Sequence, residues 1–260
     1  MICWRKATTS GAIHIQLPKA MGQHQLHVHE SLDALSQKLA SVLCARIQEA
    51  QTRKQEAFTV SLHGGRSAKA LFQAVTAQVR ADGLSLENMH FFWGDERCVP
   101  PGDPESNYLI AANSLLTPLN IPSERVHRII GEAEPGFAAK QAEAELCRIC
   151  EISPTGLPLL DFVVLGMGED GHIASLFPNT PDQDAVSEAC YVPVIGPKPP
   201  PQRISLTYPV LFAAREMHII ASGESKREAL KQILTAQTTP AGRCIAQRGN
   251  TSVHCDFFIK

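Results

Sequence analysis

The chain of 260 residues is 44% hydrophobic and 19% charged, which excludes a disordered protein and suits one large domain or two small ones. Its formal charge of −2 argues against nucleic acid or an anionic membrane surface as a partner, since both call for a concentrated basic patch. An anionic small molecule remains compatible with the charge, because a few well-placed cations are enough to bind it.

The sequence also indicates where the protein resides. No apolar run reaches the roughly 18 residues that span a bilayer, and no apolar segment follows the basic pair near the N-terminus. We therefore expect no membrane span, no signal peptide, a cytoplasmic location and reduced thiols on the eight cysteines. Cys147 and Cys150 form a lone CxxC without a second pair at metal-ligand spacing, so they do not predict a zinc or redox site.

The predicted elements alternate between helices and short apolar strands along the chain. Helices are expected over 31–50, 67–80, 107–116, 136–150 and 224–235. Strands are expected over 58–62, 89–93, 160–166, 203–207 and 217–222, with the tail from residue 253 as a last edge strand. This alternation predicts a single α/β domain over residues 1–260, with a mostly parallel, doubly wound sheet between two layers of helices.

The first loop with chemical potential follows strand 58–62 and reads HGGRSAKA. Gly64 and Gly65 let the backbone approach a ligand closely. Ser67 opens the next helix, whose free N–H groups suit a phosphate, and Arg66 adds a forked cation. The run matches neither glycine-rich nucleotide pattern, so a dinucleotide or triphosphate is not indicated. The alternative is a simple strand-to-helix turn with a serine cap.

The second loop follows strand 89–93 and reads WGDERCVPPGDPESN. Asp95, Glu96 and Arg97 fall at the carboxyl end of that strand, and Ser106 and Asn107 open the next helix. Charged residues this close together either form surface ion pairs or line a site. If the loop lines a site, a carboxylate at the end of the strand would orient a substrate hydroxyl or a neighbouring cation.

The third loop follows strand 160–166 and reads GMGEDGHIASLFP. Asp170 precedes His172 by two residues among glycines, and a nearby carboxylate fixes the tautomer of an imidazole and raises its basicity. His172 is therefore a candidate general base, with a tight structural turn as the alternative. His24, His27 and His29 alternate as on a strand or surface loop and predict no site.

Two further cations lie near predicted strand ends. Arg203 begins strand 203–207, and Lys226 follows strand 217–222, where a sheet edge would present both to a phosphate. The sequence contains no GxSxG, no HExxH and no carboxylate cluster, so it predicts neither a serine nucleophile nor a metal site.

Four ordered motifs carry a family resemblance: GGRS, WGDER with its downstream SN, VLGMGEDGHIASLFP, and RISLTYPVLFAAR followed by SGESK. They resemble the 6-phosphogluconolactonases, within the superfamily that includes glucosamine-6-phosphate isomerase/deaminase. The resemblance runs from about residue 25 to about residue 235. It implies a Rossmann-like α/β sandwich and neither a metal nor an organic cofactor.

The residues after the histidine separate the two branches of this superfamily. Deaminases have IAFNEP, with a glutamate that serves sugar ring opening, whereas this chain has IASLFP with Phe177 at that position. Ile173 is deaminase-like, but a phenylalanine cannot move a proton, so the lactonase branch is expected. His63 and Ala68 replace a serine and a proline that are usual in the first loop of lactonases. The glycines, the arginine and the serine are kept, so we expect phosphate binding to survive.

The resemblance implies hydrolysis of 6-phospho-D-glucono-1,5-lactone to 6-phospho-D-gluconate. His172 would take a proton from the attacking water, Asp170 would orient its imidazole, and backbone N–H groups of 168–171 or Arg97 would donate to the oxyanion. Asp95 would contact sugar hydroxyls or hold Arg97. The residues expected to bind the phosphate are Gly64, Gly65, Arg66, Ser67, Arg203 and Lys226.

The expected partner is thus a small phosphosugar lactone, without nucleic acid or membrane, and the sequence leaves a monomer or a small homo-oligomer open. One alternative is an aminosugar-phosphate isomerase/deaminase, which Phe177 disfavours. The other is a non-catalytic sugar-phosphate sensor. A sensor would need neither Asp170 nor His172, and it would usually carry a DNA-binding or partner domain.

Overall fold

The computed structural model describes residues 13–15, 24–178, 188–236 and 238–258. The strands, in chain order, are β1 (Ile13–Ile15), β2 (His24–Val28), β3 (Phe58–Leu62), β4 (Met89–Trp93), β5 (Asp95–Arg97), β6 (Glu151–Ile152), β7 (Pro158–Leu159), β8 (Phe162–Gly166), β9 (Tyr191–Ile195), β10 (Gln202–Leu206), β11 (Glu216–Ala221) and β12 (Thr251–Cys255). The helices are α1 (Leu32–Thr52), α2 (Arg66–Asp82), α3 (Asn107–Ala111), α4 (Pro135–Ile149), α5 (Tyr208–Ala213), α6 (Arg227–Thr235) and α7 (Pro240–Gln247).

The central sheet of the described chain has the strand order β1-β2-β12-β11-β8-β3-β4. The six strands from β2 to β4 in that order are parallel, and β1 pairs antiparallel with β2 at the edge. The apolar runs FTVSL of β3 and FVVL of β8 are buried throughout, as strands are when both faces of a sheet are covered. The predicted Rossmann-like, mostly parallel fold is confirmed.

The helix predictions are confirmed with small shifts at their ends, except that two segments change helix type. The segment 107–116 forms one α-helical turn, α3, that continues as a π-helical turn over Ala112–Leu116. The segment 224–235 begins with a 3₁₀ turn over Glu224–Lys226 before α6. Such local changes of hydrogen-bond spacing do not alter the apolar periodicity from which a helix is predicted.

Two strand placements differ from the sequence expectation. The strand RISLT does not join the central sheet; it forms β10 of a separate antiparallel sheet with the order β5-β10-β9. The C-terminal strand β12 is not an edge strand, since it pairs in parallel with both β11 and β2. A short apolar run shows that a strand forms, but the distant segments that pair with it decide its place.

The topology leaves a crevice at the carboxyl ends of β3 and β8. The chain leaves β3 towards β4 on one side, whereas it leaves β8 towards β11 on the other. The ladder between β3 and β8 spans two residue pairs, while that between β3 and β4 spans five. Ligands of open α/β sheets bind at such a reversal of strand order, so this crevice is where a site is expected.

The core is built around the central sheet. Its largest fully buried side chains include Trp93 and Phe92 of β4, Phe162 of β8 and Phe72 of α2. Each buried side chain of this size contributes about 1.5–3 kcal/mol of transfer free energy. The site loops are therefore anchored at the ends of the most deeply buried strands.

Three further predictions concern membrane spans, the paired cysteines and the number of domains. Among the helices in the described ranges, none is both long and apolar enough to cross a bilayer. Cys147 and Cys150 are free thiols, the first exposed and the second buried. That residues 1–260 form a single domain stays a prediction.

Candidate active site

A cavity of about 330 Å³ lies at the carboxyl ends of β3 and β8. Its walls contain nine of the ten residues that the sequence singled out as a site, and the tenth, Asp170, contacts one of the nine. The nine are Gly64, Gly65, Arg66, Ser67, Asp95, Arg97, His172, Arg203 and Lys226. The wall thus carries four cationic side chains and one carboxylate, a balance that favours an anionic ligand.

The N-terminus of α2 faces this cavity without a side-chain cap. The helix begins at Arg66, one residue earlier than predicted, and its N-cap Gly65 has φ +85°. A side chain at Gly64 would overlap the Asn107 carboxamide, so glycine is required there for close packing. The serine cap of the alternative interpretation does not form. The N–H groups at the start of a helix are left without an intrahelical partner, and here no side chain caps them.

The three charged residues of β5 divide between the two sides of the strand. Asp95 and Arg97 line the cavity, and Glu96 points away from it, as alternation along a strand requires. Burial raises the pKa of Glu96, against backbone N–H groups that lower it. Its carboxylate accepts hydrogen bonds from the N–H groups of Arg97, Asn107 and Tyr108 and from the Ser106 hydroxyl, at 2.7–3.1 Å. Glu96 therefore fixes α3 to β5 and forms no surface ion pair.

Asp95 is held in place by two residues to which the sequence analysis gave no role. The Ser175 hydroxyl donates to Asp95 Oδ2 at 2.6 Å, and Asn107 Nδ2 donates to the Asp95 carbonyl oxygen at 2.9 Å. Ser175 is fully buried, and it belongs to the same GHIAS run as the histidine. The only sequence signal for these contacts was that both residues fall inside motifs, in IAS and in SN.

The cations are crowded. Arg97 and Arg203 lie opposite each other in the register of β5 and β10. Burial, and then the neighbouring Arg97, lower the pKa of Arg203. Burial also lowers the pKa of Lys226, although Glu169 lies 3.8 Å away and raises it. A bound anion would relieve both effects, so the arrangement favours a phosphate at this place.

The imidazole of His172 and the carboxylate of Asp170 form a close pair. His172 Nδ1 lies 2.6 Å from Asp170 Oδ1, which also accepts the His172 backbone N–H at 3.1 Å. Burial by itself would raise the pKa of Asp170, but the charge and hydrogen bonds of His172 outweigh it and lower the pKa. With Nδ1 facing the carboxylate, Nε2 is the nitrogen able to accept a proton.

The glycines of the third loop serve the same pair. A side chain at Gly168 would overlap the His172 ring, so the imidazole packs directly on that backbone. The Gly168 N–H donates to the His172 carbonyl at 2.8 Å, and the Gly171 N–H donates to the Gly168 carbonyl at 3.1 Å. These two amides are used inside the loop, so the prediction of an oxyanion donor is left to the N–H groups of residues 169 and 170 and to Arg97. Arg97 is the other donor expected there, and it lines the cavity.

His63, which replaces the serine usual in lactonases, lies buried in the cavity wall. It is 3% exposed, and a side chain at Gly166 would come within 3.1 Å of its Nδ1. Burial lowers the pKa of His63 to about 4, although the nearby backbone of Gly64 opposes this shift. The ring is therefore neutral near pH 7 and adds no fifth cation to the cavity.

Comparison with known proteins agrees with this geometry. The model of the family described as glucosamine-6-phosphate isomerases/6-phosphogluconolactonase matches residues 30–253. The chain belongs to this family. A 6-phosphogluconolactonase of Haemophilus influenzae is 42% identical over 182 residues, which are 70% of this chain and 74% of the relative. One of Streptomyces coelicolor is 35% identical over 219 residues, 81% of this chain and 83% of the relative.

A solved structure supports the same family membership. The crystal structure titled devB protein superposes with a TM-score of 0.81 at 33% identity, and covers 89% of this chain and 96% of its own. The resemblance inferred from the four motifs is confirmed. Family membership sets the chemistry that the cavity has to explain, namely the handling of a sugar phosphate.

Proposed function

We propose that this protein hydrolyses 6-phospho-D-glucono-1,5-lactone to 6-phospho-D-gluconate, in the oxidative branch of the pentose phosphate pathway. The observation that carries the proposal is the His172–Asp170 pair on the wall of a cavity with four cationic side chains. A base within reach of a bound phosphosugar is what lactone hydrolysis needs. Relatives covering most of the chain are named 6-phosphogluconolactonases.

His172 acts as the general base in this reaction. Its Nε2 takes a proton from a water molecule as the oxygen of that water adds to the lactone carbonyl carbon. Asp170 accepts from Nδ1, which fixes the tautomer and stabilises the imidazolium. The tetrahedral intermediate then breaks its bond from carbon to ring oxygen, and the imidazolium returns the proton to that oxygen. A positioned base of this kind accelerates reactions by about 10²–10⁴-fold.

The phosphate binds at the start of α2. The backbone of Gly64–Ser67 and the side chain of Arg66 supply one side of the anion site, and Arg203 and Lys226 supply the other. Arg97 lines the cavity, and its Nη1 donates to the Glu105 carbonyl at 2.8 Å. The other N–H groups of its guanidinium donate to the developing oxyanion. Asp95, fixed by the Ser175 hydroxyl, accepts hydrogen bonds from sugar hydroxyls.

The deaminase alternative is disfavoured by the side chain at position 177. Phe177 packs against the His172 ring with its centroid 4.7 Å away, where the resemblance places a proton-transferring glutamate in deaminases. The sensor alternative leaves the close His172–Asp170 pair without a purpose, because binding a phosphosugar requires no oriented base.

We also propose that the chain acts in the cytoplasm as a single domain, with a small phosphosugar lactone as its ligand and with neither nucleic acid nor membrane as a partner. The cation-rich cavity supports a small anionic ligand, and the formal charge of −2 disfavours nucleic acid. A monomer and a small homo-oligomer are both compatible with the cavity, since its walls come from one chain. No cofactor takes part in the proposed steps.

The test is hydrolysis of freshly generated 6-phosphogluconolactone, with the spontaneous rate subtracted, next to ammonia release from glucosamine 6-phosphate. The proposal predicts fast lactone loss without ammonia. Ammonia release would favour the deaminase. Phosphosugar binding without either activity would favour the sensor.

A further inference from the structure

The phenyl ring of Phe177 contacts both the proposed base and the most buried cation of the cavity. Its centroid lies 4.7 Å from that of the His172 imidazole, with 48° between the ring planes. The guanidinium carbon of Arg203 lies over the same ring, 5.6 Å from its centroid. One aromatic side chain thus joins the group proposed to move the proton to a group proposed to bind the phosphate.

The backbone around Phe177 holds this arrangement in place. A side chain at Gly196 would come within 3.1 Å of Phe177 Cε2 and 2.9 Å of Arg203 Nε, so the bare backbone packs on both. The loop that follows closes through a hydrogen bond of 2.7 Å from the Gly196 N–H to the Pro201 carbonyl. Arg203 Nε donates to the Pro200 carbonyl in the same loop at 3.2 Å. The contact between Phe177 and Arg203 is therefore built into the fold.

The charges of the reaction explain why an aromatic ring suits this position. Arg203 is a permanent cation, and His172 becomes a cation when it takes the proton from water. The face of an aromatic ring attracts cations without neutralising them. A carboxylate at position 177 would instead pair with Arg203 and compete with the substrate phosphate for it. A branched aliphatic side chain would fill the space but would offer neither a flat surface nor a π face.

We propose that Phe177 is a positioning residue of the lactone-hydrolysing site. Its ring keeps the His172 imidazole in its hydrogen bond to Asp170, and it keeps the Arg203 guanidinium in place with its charge available to the phosphate. The inference rests on the proposed function and deepens it. It assigns one side chain a part both in turnover and in substrate affinity.

The experiment compares four variants with the wild-type chain in the lactone assay, with melting temperatures measured in parallel. Phe177→Leu is expected to lower kcat about tenfold and to raise KM about threefold, because both contacts are loosened. Phe177→Tyr keeps the ring and is expected to return kcat to within about twofold of wild type. Phe177→Glu is expected to raise KM about tenfold or more through pairing with Arg203. Phe137→Leu, at an exposed phenylalanine of α4, is the matched control and leaves both constants unchanged.

The outcomes separate this inference from the function on which it rests. A wild-type chain without lactonase activity would overturn the proposed function and the inference together. An active wild-type chain with unchanged constants in Phe177→Leu would overturn the inference alone. So would losses that Phe177→Tyr shows equally, or that follow the fraction of folded protein, because a purely structural role predicts both.

Discussion

Two groups of histidines in this protein show how position decides the chemistry of an imidazole. His172 lies on the cavity wall, partly exposed, and pairs with the single carboxylate Asp170. His29, which directly follows β2, is buried, as are His254 of β12 and His218 of β11. Ring-to-ring hydrogen bonds link the three side chains. His172 is placed to exchange a proton with a ligand, whereas the three buried rings are shielded from water.

The rings of His29, His254 and His218 form a hydrogen-bonded chain, the buried chain, that ends on the carboxylate of Glu216. Glu216 Oε1 accepts from His218 Nε2 at 2.9 Å, and Glu216 Oε2 accepts from Arg46 Nε at 2.6 Å. Burial would raise the pKa of Glu216, but hydrogen bonds from His218 and Arg46 outweigh it and lower the pKa to about 2. Because an ionised carboxylate only accepts, His218 donates to it through Nε2. His218 Nδ1 lies 3.0 Å from His254 Nε2, and His254 Nδ1 lies 3.2 Å from His29 Nε2.

Burial favours the neutral form of His254 and of His29. It lowers the pKa of His254 well below the ordinary value, with further lowering from the neighbouring histidines and from Lys38 of α1. It also lowers the pKa of His29, helped by Lys38 and opposed by Asp256. A functional histidine therefore requires an accessible nitrogen as well as a carboxylate partner, and the buried chain has the carboxylate without the access.

The largest effect is expected from removing the charge of Asp170, the carboxylate partner of His172. Asp170→Asn is expected to lower kcat by about 100-fold and to leave KM nearly unchanged, because an amide neither enforces the tautomer nor stabilises the imidazolium. Steady-state kinetics on the lactone measure it, with Glu228→Gln on exposed α6 as the control. A variant with normal kcat would show that the pair is structural.

Arg203 is the most buried cation of the cavity, so its removal tests the binding of the phosphate. Arg203→Ala is expected to raise KM about 10- to 30-fold, with a smaller change in kcat, because it removes charged hydrogen bonds to the phosphate. The control is Arg215→Ala, at an arginine whose ion pairs with Glu151 and Asp161 lie outside the cavity. If both variants show the same KM, Arg203 does not bind the phosphate.

The buried chain is tested through the pH dependence of stability. The folded-state pKa of His254 and of His29 lies below the unfolded value of 6.5, so the unfolded chain binds more protons in acid. Stability is therefore retained above pH 6.5 and falls below it, by up to about 1.4 kcal/mol per pH unit for each histidine. For Glu216, whose folded pKa is lowered to about 2, the loss begins only below the unfolded value of 4.5.

Denaturant unfolding between pH 7.5 and 5.5 measures this dependence. His254→Asn removes one titrating ring and is expected to flatten the slope, while Ser252→Ala on the same strand keeps it. An equal slope in both variants would mean that the acid sensitivity comes from elsewhere in the chain.

Ser175 supports Asp95 through a single buried hydrogen bond, and its removal is expected to have the smallest effect on catalysis. Ser175→Ala removes the hydrogen bond of 2.6 Å to Asp95 Oδ2, and we expect kcat/KM to fall about fivefold. Ser41→Ala on α1 serves as the comparison, since its hydroxyl bonds at the exposed helix surface. A loss of stability without a loss of kcat/KM would make Ser175 a packing residue.

What could be predicted from the sequence is local. The pairing of Asp170 with His172 follows from a spacing of two residues in one glycine-rich loop, and β3 and β4 have the predicted bounds. These features depend on neighbours in the chain, so their residue types carry the information.

What could not be predicted depends on distant segments. Asp95 meets Ser175 only because β5 joins the separate sheet of β10, and neither short strand shows this pairing in its sequence. The buried histidine chain likewise needs β2, β11 and β12 side by side, and the interior position of β12 was not visible in an apolar run at the C-terminus. The alternation of His27 and His29 could not separate a surface loop from a strand.

His172, and not a histidine of the buried chain, is expected to supply the reacting imidazole. The direct measurement is lactone turnover at pH 8 by His172→Ala and His254→Asn, both shown to be folded, with the spontaneous rate subtracted. We predict that His172→Ala loses about 10²–10⁴-fold in kcat at near-normal KM, while folded His254→Asn stays within about twofold of wild type. Full turnover by His172→Ala would contradict the account.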